Sequence, residues 1–138
     1  MKYLHAMIRT NDPEASIHFY TKGLGLKLIR EKRVESGKFT LYFLGENDDA
    51  PMIELTHNWK ERSYTQGDQF GHLAFMVDDI YKTCEHLMSL EITINRPPRD
   101  GYMAFVKDPN DISIELLQAG ESLAPTEPWS SMQNQGTW

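Results

Sequence analysis

The chain runs through one order of segments twice, and an internal repeat narrows the choice of fold more than any single motif does. Leu4-His5-Ala6-Met7-Ile8-Arg9-Thr10 alternates in the manner of a short strand. Asn11-Asp12-Pro13-Glu14 then supplies a capping side chain, a proline suited to a first turn and an acid near the positive end of the helix dipole. The predicted helix, Ala15-Ser16-Ile17-His18-Phe19-Tyr20, stops around Gly23-Leu24-Gly25. Strand-like runs follow at about 27–32, 39–44 and 52–56. The second half repeats the order: the strand Gly71-His72-Leu73-Ala74-Phe75-Met76-Val77, a helix from Asp78-Asp79-Ile80 to about Leu90, then runs at 91–95, 102–106 and 113–117. Each half predicts β-α-β-β-β, too small to close a core alone, so the expected fold is α+β with two such modules paired. The modules are expected at about 1–60 and 70–118, within one domain over 1–118. Residues 119–138, rich in Pro, Ser, Gln and Glu, predict an irregular tail in which Trp129 and Trp138 could serve as anchors.

Composition excludes several functions. A net charge of −6 without clustered Lys and Arg argues against nucleic acid as a partner. No apolar run approaches the length of about 18 residues that suggests a membrane span, and the first residues lack the pattern of a signal peptide. The single cysteine, Cys84, cannot form an internal disulfide and fits a reducing cytoplasm. It lies in an amphipathic helical stretch and reads as a packing residue rather than a nucleophile.

Four polar residues fall at matching places on the repeat. His5 and His72 lie on the opening strands of the two halves, and Glu54 and Glu115 lie on their last strands. His5 precedes Glu54 by 49 residues and His72 precedes Glu115 by 43, a difference that loop variation explains. A carboxylate in the middle of a short apolar strand needs a partner, since burying an unpaired charge is unfavourable. Singly, each residue could be a solvent-facing Glu or a hydrogen-bonded His. Placed twice, two imidazoles and two carboxylates form a mixed N/O donor set suited to a borderline divalent ion such as Ni²⁺, Co²⁺ or Zn²⁺. His18 and His86 fall on the helices and read as structural or exposed, and His57 reads as a loop residue following the Glu54 strand.

The paired modules with strand-borne His and Glu resemble the vicinal oxygen chelate superfamily. Within it, Leu4-His5-Ala6-Met7-Ile8-Arg9, Ile53-Glu54-Leu55-Thr56-His57-Asn58-Trp59, Phe70-Gly71-His72-Leu73-Ala74 and the Ala104-Phe105-Val106-Lys107-Asp108-Pro109 stretch leading to Ile114-Glu115-Leu116 resemble glyoxalase I. The resemblance covers about 1–118 and implies a lactoylglutathione lyase. Such an enzyme isomerises the hemithioacetal of methylglyoxal and glutathione to S-D-lactoylglutathione by proton transfer through a metal-stabilised enediolate. The implied ligands are His5, Glu54, His72 and Glu115, with each site combining the first two from one subunit of a homodimer and the last two from the other. Glu115 is the implied base and Glu54 the second catalytic carboxylate. Ni²⁺ is the expected ion, with Co²⁺ or Zn²⁺ as alternatives, because the chain is similar to the short bacterial form of the enzyme.

The same resemblance implies that Arg9 and Asn58 bind glutathione and that Leu41, Phe43, Met103 and Phe105 line an apolar pocket, although the last four read equally well as core residues. Arg9 lies on the strand face of His5 by the alternation of positions 5, 7 and 9. The sequence departs from the family pattern in three places. Gly67-Asp68-Gln69-Phe70 lacks a cation that some members carry, Asn95 stands where a Lys is usual with Arg96 or Arg99 as substitutes, and Asp108-Pro109-Asn110-Asp111 lacks a glycine at its end. These changes leave another thiol open, including trypanothione. The rival readings are another enzyme of the superfamily, a thiol transferase or dioxygenase, and a non-catalytic ligand-binding or resistance module of the same fold.

Overall fold

A computed structural model describes residues 1–138, which divide into two compact units, Met1–Thr65 and Gln66–Trp138. The first unit begins with β1 (His5–Arg9) and continues through α1 (Pro13–His18) and a π-helical turn (Phe19–Gly23). It ends with β2 (Lys27–Val34), β3 (Phe39–Gly45) and β4 (Met52–Asn58). The capping signal at the helix start acts as its residues predict: the Asp12 carboxylate accepts a hydrogen bond from the Ala15 N–H at 2.9 Å, and Pro13 opens the first turn. Gly25 leaves the helical segment at φ +76°, where a side chain would be strained.

The four strands form one sheet in the order β1-β4-β3-β2, with β1 parallel to β4 and the other pairs antiparallel. Ile8, Phe19, Tyr20, Leu44, Ile53 and Leu55 are buried and form the core of this unit. β4 runs two residues past the expected end at Thr56, so His57 is a strand residue rather than a loop residue. Its Nδ1 lies 3.1 Å from the Thr10 carbonyl, tying the end of β4 to the end of β1.

The second unit contains β5 (Leu73–Val77), α2 (Ile80–Ser89), β6 (Met103–Lys107) and β7 (Ser113–Gln118). Asp79 caps α2, and the backbone N–H of Lys82, with that of Tyr81, holds its carboxyl below the usual carboxylate range. Such a cap contributes about 1 kcal/mol to a helix. Ile80, Cys84 and Leu87 share the buried face of α2 at helical spacing. Burial pushes the Cys84 thiol up to about 12, which keeps it protonated and inert, as a packing residue should be.

The sheet of this unit has three strands, in the order β5-β7-β6. The expected strand at 91–95 does not form. Glu91 takes a left-handed turn at φ +61°, and Pro97-Pro98 follow, which lack the N–H groups a ladder needs. Only one bridge survives, between Arg96 and Phe105, with both backbone hydrogen bonds made at 3.1 and 3.0 Å. The tail is irregular apart from a single 3₁₀ turn at Trp129–Ser131. Trp129 is buried and stacks on Tyr81 with centroids 6.2 Å apart, so one of the two expected anchors is seated within this unit. No helix of the chain is long and apolar enough to cross a membrane.

Candidate metal centre

The strand ladders decide which side chains share a face. In the first unit one rung crosses the whole sheet, Met7 beside Glu54 beside Phe43 beside Arg30. The neighbouring rung on that face is Arg9, Thr56, Leu41 and Lys32. Side chains alternate along a strand, so His5, Arg9, Leu41, Phe43, Glu54 and Asn58 all belong to one face. At its centre, His5 Nε2 lies 3.0 Å from Glu54 Oε2. The other Glu54 oxygen accepts a hydrogen bond from the Thr56 hydroxyl at 3.2 Å. The His5 ring meets the Phe43 ring edge to face, with centroids 5.9 Å apart, and the Arg30 guanidinium covers Phe43 at 4.2 Å. Asn58 accepts a hydrogen bond from the Tyr64 hydroxyl at 3.3 Å, while Arg9 is exposed on the same face.

The second unit repeats the arrangement, except that His72, expected on the opening strand, lies one residue before β5 begins at Leu73. Its rung is Ala74, Glu115, Phe105 and, through the isolated bridge, Arg96, with Met103 and Leu117 paired on the next rung of that face. His72 Nε2 lies 3.1 Å from Glu115 Oε2, and the His72 ring meets Phe105 edge to face at 5.3 Å. The glutamates are 14% and 15% exposed and the histidines 38% and 42%, so each pair presents its imidazole outward with the carboxylate behind it.

The donor set suits a metal. Two ligands each about 2.1 Å from one ion and at right angles to it stand about 3.0 Å apart, which is the spacing within both pairs. Imidazole nitrogen with carboxylate oxygen matches borderline divalent ions rather than the all-oxygen sites of Ca²⁺ or the thiolate sites of structural Zn²⁺. No group of three or more His, Cys, Asp or Glu gathers at one place in the chain; each unit brings one pair. Two protein ligands are fewer than catalytic ions of this class use.

The cations expected to compensate for the missing Lys are already engaged. Arg96 donates to the Met103 carbonyl and to Asp100 at 3.0 Å, and Arg99 donates to the Met132 carbonyl and Asn134 in the tail. Sequence reasoning passed over Thr56 and Arg30 and gave Trp138 only as a possible anchor of the tail. Thr56 was within reach of the period-two rule from Glu54. Arg30 was not, because a bulge between Leu28 and Arg30 shifts the alternation of β2. Trp138 stacks on Phe105 at 5.9 Å, and no local pattern in the tail announces that contact.

Each unit thus carries one His–Glu pair on a single sheet face, and this doubled arrangement defines a fold class built from two related modules. Residues 2–116 match the Glyoxalase/Bleomycin resistance protein/Dioxygenase superfamily, and the chain belongs to that family. Within it the chain stands with the glyoxalase I enzymes. It is 40% identical over 133 residues to a probable lactoylglutathione lyase of Vibrio cholerae, covering 91% of this chain and 96% of that protein. A lactoylglutathione lyase of Neisseria meningitidis is 41% identical over 125 residues, with 86% and 91% covered. Among solved structures, the trypanothione-dependent glyoxalase I of Leishmania major superposes with a TM-score of 0.81 at 38% identity, covering 86% of each chain.

Proposed function

We propose that the chain is a metal-dependent lactoylglutathione lyase, converting the hemithioacetal of methylglyoxal and glutathione into S-D-lactoylglutathione. The observation that carries this reading is the doubled His–Glu pair, with the same atoms at 3.0 and 3.1 Å, His5 opening β1 and His72 immediately preceding β5. His5 and Glu54 of one subunit join His72 and Glu115 of a second copy, so that a homodimer holds two four-ligand sites. These four residues would hold a divalent ion, Ni²⁺ in this reading with Co²⁺ or Zn²⁺ as alternatives, which would supply Lewis-acid stabilisation of developing negative charge. A cytoplasmic setting supplies glutathione.

The chain's own residues do the rest. Glu115 takes the proton from the carbon bearing sulfur, leaving an enediolate, and the proton returns to the adjacent carbon. The hydroxyl-bearing carbon ends as a thioester carbonyl and its neighbour as an alcohol, so no external oxidant or reductant enters. Glu115 is assigned the base because its only side-chain polar contact is with His72, whereas Glu54 is also held by Thr56. Arg9 and Asn58 offer donors to the carboxylates of glutathione, and Leu41, Phe43, Met103 and Phe105 form the apolar surroundings of the reacting end.

The test is reconstitution of metal-free protein with Ni²⁺ or Zn²⁺, followed by thioester formation from methylglyoxal and glutathione. Activity should require metal and should fall about 10³-fold in Glu115→Gln. Metal binding without thioester, from either ion, would sink the reading with glutathione; a trypanothione hemithioacetal then tests the thiol alone.

A further inference from the structure

We infer that Trp138 is a wall of the substrate site beside His72 and Glu115, and that it favours hemithioacetals with planar aromatic side chains. This rests on the lyase reading above. The tail that carries Trp138 lies beyond the residues matched to the family, which end at 116. It is nevertheless firmly docked within the second unit. Leu123 donates its N–H to the Gly101 carbonyl at 3.0 Å, and Gly101 cannot be replaced there, because a Cβ would stand 2.0 Å from the Leu123 oxygen. The Asn95 side chain donates to the Gln135 carbonyl at 2.9 Å, and Gln135 returns its N–H to the Asn95 carbonyl at 2.8 Å. Arg99 holds Met132 and Asn134. Asn95 and Arg99, the positions from which a substrate-binding cation was expected, therefore hold the tail.

This docking brings the Trp138 indole onto Phe105, 5.9 Å between centroids and 28° from parallel. Phe105 pairs with Glu115 across the ladder and touches His72 through its ring. Trp138 thus stands over the sheet face that bears the pair, one side against Phe105. It remains 41% exposed, which leaves indole surface for a ligand. A flat, apolar, polarisable surface beside a hydrogen-bonding pair stacks on aryl groups better than on a methyl group.

The experiment uses the metal-loaded full chain as wild type, W138A and W138F, with hemithioacetals of methylglyoxal and phenylglyoxal. W138A should raise KM for the phenyl substrate about 3- to 10-fold relative to the methyl one, with W138F restoring most of the preference. Binding of S-benzylglutathione, followed by calorimetry, should weaken by the same ratio in W138A. The ligand should quench tryptophan emission in wild type but not in W138F. A phenyl-to-methyl ratio unchanged in W138A, or an equal loss with both substrates, overturns the inference. Absence of any thioester in wild type instead fails the lyase reading, and the calorimetric and quenching results then decide the role of Trp138 without it.

Discussion

Set side by side, the two units keep the same central rung and differ in what surrounds it. Both put a glutamate between a small or flexible residue and a phenylalanine, Met7-Glu54-Phe43 in one and Ala74-Glu115-Phe105 in the other. Both set a histidine about 3 Å from that glutamate and edge-on to that phenylalanine. Even the ties at the strand ends correspond. Three residues after each glutamate, His57 reaches the Thr10 carbonyl and Gln118 reaches the Asp78 carbonyl, closing the last strand onto the connection into the helix. Around this frame the units diverge: Glu54 is held by a hydroxyl and Glu115 is not, and the outer side of the phenylalanine is covered by Arg30 in one unit and Trp138 in the other. A structural frame alone would not require both the His–Glu spacing and its orientation to persist where the covering residues have changed. Under the proposed function the frame supplies the shared chemistry, and the coverings are where the units take separate roles.

The largest test of that division compares E115Q with E54Q at saturating metal. If Glu115 carries the proton and Glu54 serves mainly as a ligand, kcat should fall about 10³-fold in E115Q and about 10- to 100-fold in E54Q. Equal losses would mean that the two carboxylates share the proton transfer, and a greater loss in E54Q would reverse the assignment.

A smaller effect is expected from T56V, which keeps the shape of the side chain and removes the donor to Glu54. Losing one hydrogen bond should lower kcat about 3- to 10-fold, with little change in KM. Thr56 acts through Glu54, so the same substitution in an E54Q background should add nothing. A loss of equal size in both backgrounds would mean that the hydroxyl supports the strand and not the carboxylate.

How far the sequence reveals this molecule follows the same line between frame and surroundings. The order of elements, the helix caps at Asp12 and Asp79 and the strands that carry His5, Glu54 and Glu115 are written in local signals: a carboxylate before a helical run, period-two alternation, and His and Glu at matched offsets. The run at 91–95 has the composition of a strand, but the left-handed Glu91 and the prolines at 97 and 98 leave it a single bridge. Arg30 escaped because one extra residue in β2 moves it to the other face from the one simple alternation gives. Trp138 reaches Phe105 across 33 positions, through hydrogen bonds from Asn95 and Arg99 that depend on tertiary placement alone. Local pattern encodes elements and their faces; contacts made by docking a tail are not local and leave no such trace.

The smallest predicted effect contrasts the two arginines that occupy the fourth place of each rung. Arg30 lies over Phe43 with no acidic partner, on the face that holds His5 and Glu54. Arg96 is half-buried and committed to Asp100 and the Met103 carbonyl. R30M should therefore raise KM for the glutathione hemithioacetal about 2- to 4-fold at low salt, and the increase should shrink toward 0.5 M salt, on the order of where charges several ångströms apart are screened. Its melting temperature should stay near that of wild type. R96M should behave in the opposite way, lowering the melting temperature by about 4 °C through the lost Asp100 contact while leaving KM unchanged. Were R96M to raise KM instead, the second unit would supply the substrate-facing cation and the division between the two coverings, cation in one unit and indole in the other, would not hold.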